Sequence, residues 1–385
     1  MPTYARADLA FEKGEGVYLF AADGRRYLDF ASGVAVNALG HCHPRLVAAL
    51  KTQADKLWHC SNLYRVPLQE KVAGRLCRHS FADTVFFCNS GAEAMEGVIK
   101  LMRKYHSHAG NPERWRVVVA EGAFHGRTLA TLAAGGQEKH LKGFGPVMDG
   151  FDRVAFGNLD EMRRAIGPAT AGILIEPVQG EGGVRAASPD YLRALRAIAD
   201  EFGVLLAFDE VQTGNGRTGK LFAHEWAGIT PDVLGTAKGL GGGFPLGAVL
   251  ASEKAAAGMT AGTHGSTFGG NPLAMAVADA VLDELLSDGF LDHVQRMAEM
   301  LATAMDDLAR RHPTIIEDRR GTGLLRGFKT RPLNGEVVEA LAADGLLTVG
   351  AGDNVVRLVP PLVIEAAHIR EAVEIMDRRF TSLAS

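Results

Sequence analysis

Two hydrophobic rhythms alternate along this chain. Short unbroken apolar runs at 84–88, 116–120, 172–176, 204–208, 232–236 and 247–252 have the length and bulk of buried strands. Stretches with apolar residues at helical spacing lie ahead of them, at 45–57, and between them, at 91–105 and 189–202. Strands alternating with helices predict an α/β architecture. Residues 17–30 read as a hairpin around Ala22-Asp23-Gly24. From Leu273 one long helical pattern runs to about Arg311, and 313–385 mixes strands, such as 323–329, with helices. The segment Ser61-Asn62-Leu63-Tyr64 reads as a capping turn ahead of the helix that starts at Pro67.

The chemistry gathers where two strands end. The run 204–208 stops at Asp209 and Glu210, and the run 232–236 leads into Lys238 and Gly241-Gly242-Gly243. In open α/β sheets, ligands bind beyond the C-terminal ends of strands. An Asp ending a strand is commonly a turn former, and a Lys beside glycines a solvated loop residue. The combination suggests more. A lysine amine forms a Schiff base with an aldehyde cofactor, and a buried carboxylate keeps a pyridinium nitrogen protonated. That pairing describes pyridoxal phosphate chemistry.

Asp209-Glu210-Val211-Gln212-Thr213-Gly214, followed by Lys238 and Gly241-Gly242-Gly243-Phe244-Pro245-Leu246-Gly247, resembles the class III aminotransferases of pyridoxal-phosphate fold type I. Within them the chain is most similar to the acetylornithine aminotransferases, from Gly33 to Leu362. The resemblance implies a large domain with a mostly parallel seven-stranded sheet flanked by helices, over 46–275. It also implies a small α+β domain built from both termini, 1–45 and 276–385.

The resemblance further implies roles for single residues. Lys238 and Asp209 are the catalytic pair, and pyridoxal 5'-phosphate is the cofactor. Glu210 joins the cofactor site, Gln212 is expected at the ring hydroxyl, and Val211 and Phe124 at the ring faces. Gly91 and Ala92 open a helix after 84–88, where free N–H groups at the positive helix end suit a phosphate. Thr267 is expected to reach the phosphate of a neighbouring subunit, which implies a homodimer with shared active sites.

For substrate, Arg127 is expected at the α-carboxylate with Ser266 beside it, since an Arg fork holds a carboxylate in two parallel hydrogen bonds. Asn62 lies in a segment similar to one near the substrate. Glu181 is expected to pair with Arg357 and release it to a second carboxylate. His125 is a possible base, but the lysine does that work in such enzymes. Gly33, aligned on Val36-Asn37 and Gly40-His41, stands where ornithine aminotransferases carry a tyrosine. The implied reaction moves the δ-amino group of N2-acetylornithine to 2-oxoglutarate. Ornithine, succinylornithine and 4-aminobutyrate transaminases and a pyridoxal-phosphate aminomutase are the alternatives.

Composition narrows the partners. The 385 residues are 47% apolar and 22% charged, as in an ordinary globular chain with room for a large core. A net charge of −4 argues against nucleic acid or a membrane surface, and no apolar run is long enough to span a bilayer. The N-terminal stretch lacks an apolar signal core, so the cytoplasm is expected. The four cysteines show no paired spacing, and His41-Cys42-His43 lacks a second ligand pair, so neither disulfides nor a metal is expected. No convincing G-x-G-x-x-G follows a strand at the start of a βαβ unit, which speaks against a nucleotide-binding dehydrogenase.

Overall fold

The apolar runs become the strands of one sheet. In this computed structural model, which describes residues 1–384, seven strands assemble: β1 (Thr84–Cys88), β2 (Arg116–Ala120), β3 (Phe151–Val154), β4 (Thr170–Ile175), β5 (Leu205–Asp209), β6 (Val233–Thr236) and β7 (Gly247–Ala251). Their order is β1-β7-β6-β5-β4-β2-β3. Only β7 runs antiparallel to its neighbours; the other pairs are parallel.

Every residue of β4 and β5 is buried, which is why these strands read as continuous apolar runs rather than alternating ones. Strand alternation then divides the core. Leu205 and Ala207 face helix α1 (Gly91–His108) through Met95, Val98 and Met102. Leu206 and Phe208 face helix α2 (Pro189–Phe202) through Leu192, Leu195 and Ile198.

Both ends of the chain meet in a four-stranded sheet, where Leu346–Leu347 lies parallel to Arg26–Asp29. A second four-stranded sheet, antiparallel throughout, holds Ile316–Thr322, Leu325–Thr330, Val355–Leu358 and Val349–Ala351. Buried Arg217, on the loop after β5, donates to the carbonyls of Leu324 and Pro360 and so ties the large sheet's active edge to this second sheet.

Two local expectations give way. The single long helix from Leu273 is two, Pro272–Leu285 and Phe290–Arg311, broken where Gly289 takes φ +80°. The helix beginning at Pro67 starts behind Val66 with no side-chain cap, so the Ser61 segment does not cap it. Among the described residues, no helix is long and apolar enough to cross a membrane.

Candidate active site

The C-terminal ends of β1, β2, β4, β5 and β6 point to one edge of the sheet, and a cavity of about 430 Å³ opens there. Lys238 stands at its wall, two residues past β6. Its φ of +44° is a left-handed conformation that a side-chain-bearing residue keeps only when its surroundings enforce it. Burial, reinforced by the charge of Arg357, brings its amine down to about 8; Glu181, Asp209 and Glu176 pull the other way. A lowered amine supplies more neutral lysine near neutral pH, as a nucleophile or a base needs.

Asp209, the last residue of β5, lines the same cavity and is buried. One carboxylate oxygen accepts the Val211 N–H at 3.0 Å, and the other lies 2.8 Å from His125 Nδ1. The His125 side chain is fully buried, so this imidazole fixes the Asp209 carboxylate in place. Glu176, just past β4, accepts the Phe124 N–H at 3.0 Å. Burial, then the charge of Asp209, pushes the Glu176 carboxyl well above the usual range, with the Phe124 hydrogen bond opposing.

The start of α1 lines the same cavity. Ser90 caps it by accepting the Glu93 N–H at 3.2 Å, and Glu93 accepts the Asn89 N–H in return. Gly91 and Ala92, the first residues of α1, line the cavity with their unpaired end of the helix. Gly91 has no room for a side chain: a Cβ there would lie 2.7 Å from Val211.

Two arginines lie at or beside the cavity. Arg357, 1% exposed, donates from Nη1 to Glu181 Oε1 at 2.6 Å and to Gln212 Oε1 at 3.0 Å. Burial raises the Glu181 carboxyl, but the charge and hydrogen bond of Arg357 outweigh it and hold it below the usual value. Arg127 lines the cavity and is exposed, its guanidinium 5.4 Å from the Phe124 ring centroid.

Comparison with known proteins now decides the family. The family model described as aminotransferase class-III matches residues 2–380. The chain belongs to the class III aminotransferases. It is 60% identical, over 100% of its own length and 95% of the relative's, to acetylornithine aminotransferase 1 of Bradyrhizobium diazoefficiens. The N-acetylornithine aminotransferase of Stenotrophomonas maltophilia K279a is similar in structure, with TM-score 0.86, 35% identity and coverage of 99% and 98%. The ornithine aminotransferase of Toxoplasma gondii ME49 superposes with TM-score 0.95 at 32% identity, covering 100% of this chain and 93% of that one.

Class III aminotransferases use pyridoxal 5'-phosphate, and the cavity of this aminotransferase fits it. An amine, a buried carboxylate and a helix N-terminus surround one space, with Phe124 and Val211 as apolar walls. These are the groups that an aldehyde, a ring nitrogen, a phosphate and an aromatic face require.

Not every expected residue arrives there. Glu210 is fully buried and turned away, accepting from Thr213 Oγ1, the Ala223 and His224 amides and His224 Nδ1. Its carboxylate therefore holds the loop after β5 and does not line the cofactor cavity. Asn62, Ser266 and Thr267 line neighbouring surface depressions instead of the Lys238 cavity. The Asn62 amide donates to the carbonyls of Ser266 and Gly269, and Asn89, a cavity residue, donates to Ser266 Oγ at 3.2 Å. Within one subunit, then, Ser266 sits beside Asn89 and not beside Arg127. Sequence reasoning missed Glu176 and Asn89 altogether, and it gave His125 no partner.

Proposed function

We propose that this aminotransferase moves the δ-amino group of N2-acetylornithine to 2-oxoglutarate, giving N-acetylglutamate semialdehyde and glutamate, as in arginine biosynthesis. The observation that carries this reading is the placing of Lys238 and Asp209 around one cavity that Arg127 borders and the Glu181–Arg357 pair adjoins. Bound pyridoxal 5'-phosphate supplies an electron sink and a carrier for the amino group.

The chain's own residues do the rest. The Lys238 amine would take the proton from the donor's δ-carbon and deliver it to the cofactor carbon, so that the amino group stays with the cofactor. Asp209, oriented by His125, holds the ring nitrogen protonated. Gly91 and Ala92 hold the phosphate on one side and Thr267 of the partner subunit completes it, so the enzyme works as a homodimer. Phe124 and Val211 enclose the ring and Gln212 meets its hydroxyl. Arg127 grips the donor's α-carboxylate. Arg357 stays paired with Glu181 while the donor is bound and turns to the second carboxylate of 2-oxoglutarate.

Gly33 supports an acylated donor. It is exposed, and a Cβ there would meet only Asn37 and Val36, at 3.4 and 3.6 Å. The space that a tyrosine ring would fill stays open for an acyl group, which also extends to N-succinyl-diaminopimelate. We read residues 46–275 as the cofactor-holding domain and 1–45 with 276–385 as the small domain, in a cytoplasmic enzyme. The parallel pairing of Leu346 with Leu28 supports joining the two ends.

The two half-reactions are separable. N2-acetylornithine alone should bleach the visible absorbance of the holoenzyme, and 2-oxoglutarate should restore it with release of glutamate. An aminomutase would turn over its substrate with no oxo acid present, and that result would refute the reading.

A further inference from the structure

Arg127 is exposed and has no carboxylate partner among the described residues. Its only hydrogen-bond partner there is His140, with Arg127 Nη2 3.3 Å from His140 Nε2. The same imidazole meets the Phe124 ring edge-on, at a centroid distance of 5.9 Å. One side chain outside the cavity lining thus touches both the arginine and the aromatic wall of the site.

His140 is itself held. It lies on the helical turn Glu138–Leu141, and Gln137, just before that turn, donates to the Ala123 carbonyl at 2.8 Å. Ala123 directly precedes Phe124, so the imidazole and the residues it touches are tied into one unit. For Arg127 to donate to Nε2, the imidazole must be neutral with its proton on Nδ1. Its surroundings favour that form. Burial first, then the charges of Arg127 and Lys139, hold its proton affinity below the ordinary value, with Glu181 opposing.

We propose that His140 is a positioning residue for Arg127, a neutral acceptor that fixes the guanidinium for a substrate carboxylate without competing for its charge. The proposal rests on the reading of Arg127 as the donor's carboxylate anchor. An arginine has five N–H donors in one plane, and His140 engages one edge while leaving the others for the ligand. A carboxylate in the place of His140 would neutralise the arginine and compete with the substrate. An apolar residue would leave a long exposed side chain to be ordered on binding, which weakens affinity. His140 touches Arg127 and Phe124 rather than the reacting atoms, so its effect belongs to binding.

The test uses holoenzyme and three variants: His140→Phe, which keeps a ring against Phe124 but removes the acceptor; His140→Gln, which restores an acceptor; and Arg127→Gln. KM and kcat for N2-acetylornithine are measured at saturating 2-oxoglutarate. Binding of the donor to each variant in a Lys238→Ala background is read by calorimetry, where no turnover occurs. His140→Phe should raise KM and the calorimetric Kd about tenfold, the worth of one charge-assisted hydrogen bond, with kcat changed by no more than about twofold. His140→Gln should recover most of the affinity. If Arg127→Gln weakens binding but His140→Phe does not, the proposal falls and the Arg127 reading stands. If Arg127→Gln leaves binding unchanged, the Arg127 reading falls and takes the proposal with it. A His140→Phe loss confined to kcat, or one that Gln does not recover, also overturns it.

Discussion

Arg357 and Glu181 meet at 2.6 Å, the arginine almost wholly buried and the carboxylate partly open to the cavity. A single guanidinium nitrogen serves both Glu181 and Gln212, so any shift of Arg357 is felt at a cavity-lining amide. Glu181→Gln should leave Arg357 without an anionic partner and permanently open to a second carboxylate. The variant should transaminate glutamate more readily relative to N2-acetylornithine, with the ratio of kcat/KM values shifted toward glutamate by about tenfold or more. An unchanged ratio would mean the pair is only structural.

The lowered Lys238 amine gives a pH test. Its neutral form attacks an aldehyde, and the neutral fraction rises as pH rises through the amine's pKa. With that value brought to about 8, the rate of pyridoxal phosphate uptake by cofactor-free enzyme should climb to a plateau shortly above pH 8. Stopped-flow growth of visible absorbance measures it. A rate still climbing near the ordinary lysine value of 10.5 would show that burial and Arg357 do not depress the amine.

Asp209→Ala should leave the fold intact while removing the group proposed to keep the ring nitrogen protonated. The loss in kcat should be at least about a hundredfold, comparable to removing one preorganised electrostatic group from an active site. Turnover near the parent's at saturating cofactor would make Asp209 a structural residue.

Much of this was legible in the chain. Thr84–Cys88, Arg116–Ala120 and Leu205–Asp209 form strands where the apolar runs place them, and the last two are buried on both faces, which calls for unbroken apolar sequence. The lone Gly289 inside a helical pattern gave too weak a sign of a break, since helices tolerate single glycines. Asp209 and Glu210 could not be told apart by composition. Successive side chains leave an extended chain on opposite sides, and the structure sends one to the cavity and the other into the core around His224. The partners of His125, Glu176 and His140 lie 84, 52 and 13 residues away in sequence, and no spacing rule links them.

Thr267 lies outside the Lys238 cavity of its own subunit, as a residue serving a neighbour's phosphate would. Thr267→Ala and Lys238→Ala chains, each poorly active alone, should regain activity when mixed and reassembled. One site of the mixed dimer then carries both lesions and the other neither. Activity that never rises above the separate chains would rule out sharing across the interface.

The choice of donor tests the account most directly. Values of kcat/KM are compared for N2-acetylornithine, N-succinyl-diaminopimelate, ornithine and 4-aminobutyrate, each with 2-oxoglutarate. On the proposed reading, free ornithine brings an α-ammonium beside Gly33, which offers it no ring partner. 4-Aminobutyrate lacks the α-carboxylate arrangement that Arg127 is proposed to hold. The acylated donors should therefore lead, with N2-acetylornithine first, and a higher kcat/KM for ornithine or 4-aminobutyrate would contradict the assignment.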